Sequence, residues 1–223
     1  MSSPQRHRAP STSGRCDVTI RRGRRSASVA LALVGALAVG GVLAGCTADP
    51  LADQYRAGDN KGFIAQNGME AVAIPIDQRS APLNFSGVTD TGETVTSDDY
   101  RGQVLVVNFW YAACAPCIVE APELEAAYEE VGGADVAFLG LNTADEAPTA
   151  RSFAEDNGVS YPSLISVGDR ELKLAFADAT PLNATPVTLV IDPEGRVAAR
   201  VIGALSSSSI LTTLVKETLA ENG

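Results

Sequence analysis

The run Val104-Leu-Val-Val-Asn-Phe-Trp110 constrains this chain more than any other stretch. It is almost wholly apolar and rich in β-branched residues, with no polar face to offer water. A strand of that composition belongs in a sheet covered on both sides. The period then changes: Cys117, Ala121, Leu124, Tyr128 and Val131 recur at helical spacing until Gly132-Gly133 stops the helix. A second buried strand is expected at Val136-Ala-Phe-Leu-Gly-Leu141. A helical segment around Ala150, Phe153 and Ala154 follows, closed by Asn157-Gly158. A less regular stretch reaches Pro181. Val187–Ile191 and Val197–Ile202 flank Asp192-Pro-Glu-Gly195, which reads as a hairpin. The last helix starts at a Ser206–Ser209 cap and carries Ile210, Leu211, Leu214, Val215 and Leu219 on one stripe. Strand, helix, strand, helix, hairpin and helix in that order give an α/β sandwich of three layers over residues 80–222.

Charge is distributed unevenly along the chain. Seven Arg and one acid precede Ser26, residues 26–48 carry no charge, and beyond Cys46 ten Lys and Arg face 26 Asp and Glu, a net of −16. A basic start followed by the apolar run Ser28–Gly45 has the layout of a secretory signal. The run ends in Leu43-Ala-Gly-Cys46, which resembles a bacterial lipobox, where the Cys takes a lipid and becomes the mature N-terminus. Residues 1–45 are therefore expected to form a lipoprotein signal peptide. Residues 46–79 read as a tether with a short ordered piece near Gly62-Phe-Ile-Ala65. The alternative is a retained membrane helix, since 18 apolar residues reach the lower limit for a span. Gly35, Gly40, Gly41 and Gly45 make that span a poor one. Either reading places the acidic body on the extracytoplasmic face of the cell membrane. Its charge repels nucleic acid and anionic head groups, leaving the lipid anchor as the membrane contact.

Chemistry concentrates in Cys114-Ala-Pro-Cys117, because Cys16 leaves with the signal and Cys46 is assigned to lipid. The pair follows a buried strand and stands where a helix begins. There the first backbone N–H groups are unpaired and the helix dipole favours an anion, so a thiolate at Cys114 is stabilised and reachable. Cys117 lies in the same first turn and can close a disulfide with it. Pro116 stiffens the loop where a missing N–H costs little. Glu120, Glu123 and Glu125 work against the thiolate. A structural bridge is the bland alternative, although one enclosing two residues staples little chain. Zinc wants four ligands, and the only His, His7, leaves with the signal, so neither metal nor cofactor is called for. A peroxidase needs a Thr three residues before its reactive Cys, where Tyr111 stands. A Ser-His-Asp hydrolase is excluded by the lack of His in the body.

The stretch Phe109-Trp110-Tyr-Ala-Ala-Cys114-Ala-Pro-Cys117-Ile-Val-Glu120-Ala-Pro122-Glu-Leu124 resembles the active site of the TlpA/ResA-like thiol-disulfide oxidoreductases, tethered relatives of thioredoxin. The similarity spans about Asn84–Leu219. It implies a thioredoxin-like sandwich with an N-terminal β extension and a central strand–helix insertion, the latter over Thr143–Pro181. It also implies that Pro122 kinks the active-site helix and that Thr185-Pro186 is a cis-proline loop where a substrate strand docks. The chain departs from the family at Ala113, where relatives carry Trp, although Trp110 is retained. Asn108 stands where thioredoxin keeps a buried acid, which leaves Glu120 as the nearest alternative proton carrier, on a helix face where a carboxylate is ordinarily solvated. Activity is expected as reduction of exported protein disulfides by Cys114 and Cys117. The resemblance implies a membrane thiol relay as electron donor and apocytochrome c as one client. Two rivals stay open: a non-catalytic binding lipoprotein with an inert bridge, and the same exchange run in reverse as a thiol oxidase.

Overall fold

The structure, a computed structural model, describes residues 63–64, 68–181 and 184–221. The signal expected at 1–45 and the lipid site expected at Cys46 lie outside the described residues.

Seven strands form one mixed sheet: β1 (Phe63–Ile64), β2 (Glu70–Ala73), β5 (Val104–Trp110), β6 (Val136–Asn142), β7 (Ser163–Ile165), β8 (Val187–Ile191) and β9 (Val197–Ile202). Their spatial order is β1-β2-β9-β8-β5-β6-β7, and a separate hairpin pairs β3 (Ser86–Val88) with β4 (Thr94–Thr96). The apolar run at 104–110 is the central strand and is buried at every position. It runs parallel to β6 and antiparallel to β8. Among the described residues the α-helices are α1 (Ala115–Val131), α2 (Ala147–Asn157), α3 (Arg170–Ala175) and α4 (Ser208–Ala220).

Alternation along β5 assigns its side chains to two cores. Val104 and Val106 pack with Leu124 and Ala127 of α1 and with Leu211 and Val215 of α4. Leu105, Val107 and Phe109 face the other way, onto Leu172 of α3, Phe176, and Phe85 and Val95 of the hairpin region. Helices therefore cover one face, and α3 with the β3–β4 hairpin covers the other, completing the three layers of a thioredoxin-like α/β fold. The stretch 143–181 supplies α2, β7 and α3.

One boundary is corrected. Residues 70–73, placed within the tether by their composition, form β2, which pairs antiparallel with β9 through Ala71↔Val201. Arg79, also assigned to the tether, is buried: Nη1 lies 3.0 Å from Asp192 Oδ2 and Nη2 pairs with Glu221. Folded structure thus begins before Ser80. A four-residue strand whose hydrogen-bond partner comes from the far end of the chain leaves no periodic mark of its own. Phe63–Ile64, inside the piece expected to be ordered, pairs with β2.

Candidate active site

The C-terminal end of β5 delivers Trp110, and a short turn then leads into α1. Cys114 is the N-cap of that helix, and its sulfur accepts the N–H of Cys117 at 3.2 Å. A capping side chain takes up an N–H that the helix itself cannot satisfy. Here that side chain is the sulfur, so negative charge on Cys114 is met by a backbone donor and by the positive end of the helix dipole. Pro116 occupies the first turn, where no N–H is missed. Cys114 and Cys117 are joined in a disulfide, with Cα atoms 5.2 Å apart.

The sulfur is less open than the sequence suggests. Cys114 is 3% exposed and Cys117 2%. Both pack with Trp110, Ala121, Ala150 and Phe153, because α2 lays Ala150 and Phe153 against the start of α1. The Trp110 and Phe153 ring centroids are 4.3 Å apart. The exposed residues next to the two cysteines in sequence are apolar: Ala113, Ala115, Pro116, Ile118 at 44% and Val119 at 71%. The pair is therefore recessed within a segment that itself carries no charge.

Glu120, expected as the nearest alternative proton carrier, is buried. A helix-face carboxylate is ordinarily solvated, yet this one is 1% exposed. One turn beyond Cys117, it points into the sheet instead of outward. Its Oε1 accepts the amide Nδ2 of Asn108 at 2.8 Å, and its Oε2 accepts the N–H of Leu205 at 2.9 Å. Burial raises its carboxyl to about 7, and the donors from Leu205 and Asn108 oppose the rise. Asn108 also donates to Thr188 Oγ1 at 3.1 Å across the β5–β8 ladder. The buried acid of this site is thus carried by the helix, and the strand supplies its amide partner. Glu123 and Glu125 serve elsewhere: Glu123 accepts the N–H of Ser208 at the start of α4, and Glu125 accepts the N–H and hydroxyl of Ser160.

A small cavity lies below the bridge, lined by Cys117, Asn108, Trp110, Phe153 and Tyr161 among others. Burial, with Glu120 and Glu125 nearby, pushes the Tyr161 phenol up. Trp110 Nε1 donates to Ser163 Oγ at 3.2 Å. The Thr185–Pro186 peptide is cis. Because Phe109 faces Val187 across the ladder, Pro186 stands at the level of Trp110, on the same sheet edge as the disulfide. Helix α1 continues through Pro122, where no N–H is present to reach the Ile118 carbonyl. The structure thus gathers Trp110, Cys114, Pro116, Cys117 and Glu120 directly, and brings Thr185-Pro186 to the same edge.

Sequence reasoning missed Asn142, Asp145 and Tyr161. Asn142-Thr-Ala-Asp145 directly after a buried strand is an Asx-turn signature, and it was the available clue to the first two.

The Redoxin family profile matches residues 76–214. The chain is similar to thiol-disulfide oxidoreductase ResA of Bacillus subtilis (strain 168), 28% identical over 149 residues, covering 67% of this chain and 80% of that one. Thiol:disulfide interchange protein HelX of Rhodobacter capsulatus is 29% identical over 144 residues, covering 64% and 72%. A thioredoxin-family thiol:disulfide interchange protein from Chlorobium tepidum TLS superposes with a TM-score of 0.57 at 26% identity, covering 63% of this chain and 97% of that one. A secreted thiol-disulfide isomerase from Corynebacterium glutamicum shares the fold, with a TM-score of 0.59 at 24% identity over 71% and 97%. A recessed disulfide capping the first helix, with a buried acid one turn further on, is an arrangement suited to exchange with other disulfides, and the chain belongs to the Redoxin family as a ResA-like thiol-disulfide oxidoreductase of thioredoxin fold.

Proposed function

We propose that the protein works on the extracytoplasmic face of the cell membrane, held there by lipid on Cys46, and reduces disulfides of exported proteins through Cys114 and Cys117. The carrying observation is the sulfur of Cys114 at the helix cap, accepting the Cys117 N–H. In the reduced state that donor favours the thiolate at Cys114. The thiolate attacks one sulfur of the client disulfide, and the other client sulfur leaves as a thiolate. Cys117 then attacks Cys114 Sγ and expels the second client thiolate. The client gains two electrons and two protons, and the protein is left as the disulfide. Glu120, next to Cys117 on the helix and titrating near 7, takes the proton that Cys117 must lose. A membrane thiol relay restores the dithiol, and apocytochrome c is one client; both rest on the resemblance in sequence.

Direction and clients are tested together. The Cys117→Ser variant should accumulate mixed disulfides with exported proteins, whose identities report both. Insulin reduction with dithiothreitol should be accelerated by the wild type and not by Cys114→Ser. The 3% exposure of Cys114 favours a second reading, an inert bridge in a binding lipoprotein. Equal slow rates for both proteins would establish it. For the anchor, Cys46→Ser should leave the protein unprocessed or released, and unchanged membrane fractionation points to a retained helix.

A further inference from the structure

One side chain reaches the reacting turn from a different part of the chain. Asp145 follows β6, and its Oδ2 accepts the N–H of Ala112 at 2.6 Å and the Nδ2 group of Asn142 at 2.9 Å. Asn142 is fully buried, and its Oδ1 accepts the N–H groups of Ala144 and Asp145 at 3.1 and 2.6 Å. The segment that carries Asp145 is therefore wound around a side chain fixed in the sheet. A second tie runs alongside: Thr143 donates its N–H and its hydroxyl to the Trp110 carbonyl. Between these anchors the turn closes with the Cys114 N–H on the Tyr111 carbonyl at 3.1 Å.

Two effects follow at the sulfur. The hydrogen bond to Ala112, two residues before Cys114, fixes where the cap residue sits relative to α1. The carboxylate also places negative charge on the backbone two residues before a sulfur that must become a thiolate, which disfavours the thiolate and favours the disulfide. We propose that Asp145 is a positioning residue of the redox pair, fixing the turn that presents Cys114 and biasing the pair towards the disulfide. That bias is the one a reductant needs. On the neighbouring elements Glu120 of α1 is held by Asn108 and Leu205, and Arg151 of α2 donates to the Asp90 carbonyl. None of these hydrogen bonds involves position 145.

The test equilibrates the full chain with glutathione buffers and counts free thiols by alkylation, for wild type, Asp145→Asn and Asp145→Ala. Asn keeps an acceptor oxygen for Ala112 and drops the charge. Both variants should shift the equilibrium towards the dithiol by about three- to tenfold, or roughly 15–30 mV. Insulin reduction should fall about tenfold in Asp145→Ala and be largely restored in Asp145→Asn. A brace that is only structural would lower the unfolding midpoint and leave the glutathione equilibrium within about twofold of wild type. That result overturns the proposal. If Asp145→Ala does not fold, the equilibrium of Asp145→Asn decides alone. The inference rests on Cys114 and Cys117 being the reacting pair, which the loss of activity in Cys114→Ser reports separately.

Discussion

Asn108 and Glu120 meet at 2.8 Å, amide to carboxylate, although one belongs to the central strand and the other to the helix that follows it. The contact is sealed from solvent, with Asn108 4% and Glu120 1% exposed. Four expectations follow from this contact, from the packing of Trp110 and from the pairing of β2.

Glu120 ties the stability of the protein to pH. Its carboxyl rises from 4.5 to about 7 on folding, so the folded state holds the proton more tightly than the unfolded chain. The stabilisation is complete below about 4.5 and is lost as pH rises through 7, an effect of roughly 3 kcal/mol. Glu120→Gln should flatten that part of the profile in urea unfolding measured at several pH values. It should also erase the inflection near 7 in the rate of protein-disulfide exchange. A variant that keeps both features shows that another group titrates.

Asn108→Asp places a second carboxyl against the first. Two such groups in contact do not ionise together, so the pair should titrate in two steps, the upper one above that of Glu120 alone. The exchange rate should then keep rising past neutral pH, and the fold should be weaker at pH 8 than at pH 5. An unchanged profile would show that the two side chains do not share their buried site in solution.

Gly140 is required by its neighbours. A Cβ there would lie 2.1 Å from Ser163 Oγ and 2.8 Å from Trp110 Nε1, inside the contact that holds the indole. Gly140→Ala should cost about 1–3 kcal/mol by overpacking. It should also displace Trp110, read as a shift in tryptophan emission and slower exchange. Ser163→Ala, which removes the indole's acceptor without crowding it, should lower stability by about 1–3 kcal/mol and move the emission less.

A chain starting at Ser80 lacks β2 and Arg79. It leaves β9 as an open edge and Asp192 without one of its two arginines, the other being Arg196. Compared with a chain starting at Ala57, it should unfold at a clearly lower urea concentration and aggregate sooner. Equal midpoints would return residues 57–79 to the tether.

Much of this was legible in the chain itself, and the exceptions share a cause. Val104–Trp110, the 117/121/124/128/131 stripe and the Asp192–Gly195 hairpin are local patterns, and each became the element its period implied. Cys114 at the helix start and Thr185-Pro186 before β8 were placed by position along the chain. The failures were all non-local. Glu120 was singled out as a proton carrier, but its burial was not legible because its partners, Asn108 and Leu205, come from a strand and a distant loop. β2 was hidden because its pairing partner is β9. The recess of Cys114 is made by Ala150 and Phe153, contributed by a helix that adjacency does not connect to it.

The uncharged segment that carries the bridge has a kinetic consequence. Between Trp110 and Glu120 the chain carries no charge, whereas beyond Cys46 it carries −16. A visiting protein feels the long-range field first and a neutral doorstep last. Ionic strength should therefore govern how often cationic visitors arrive and leave their residence time nearly constant, so that discrimination once they have landed is left to shape and greasiness.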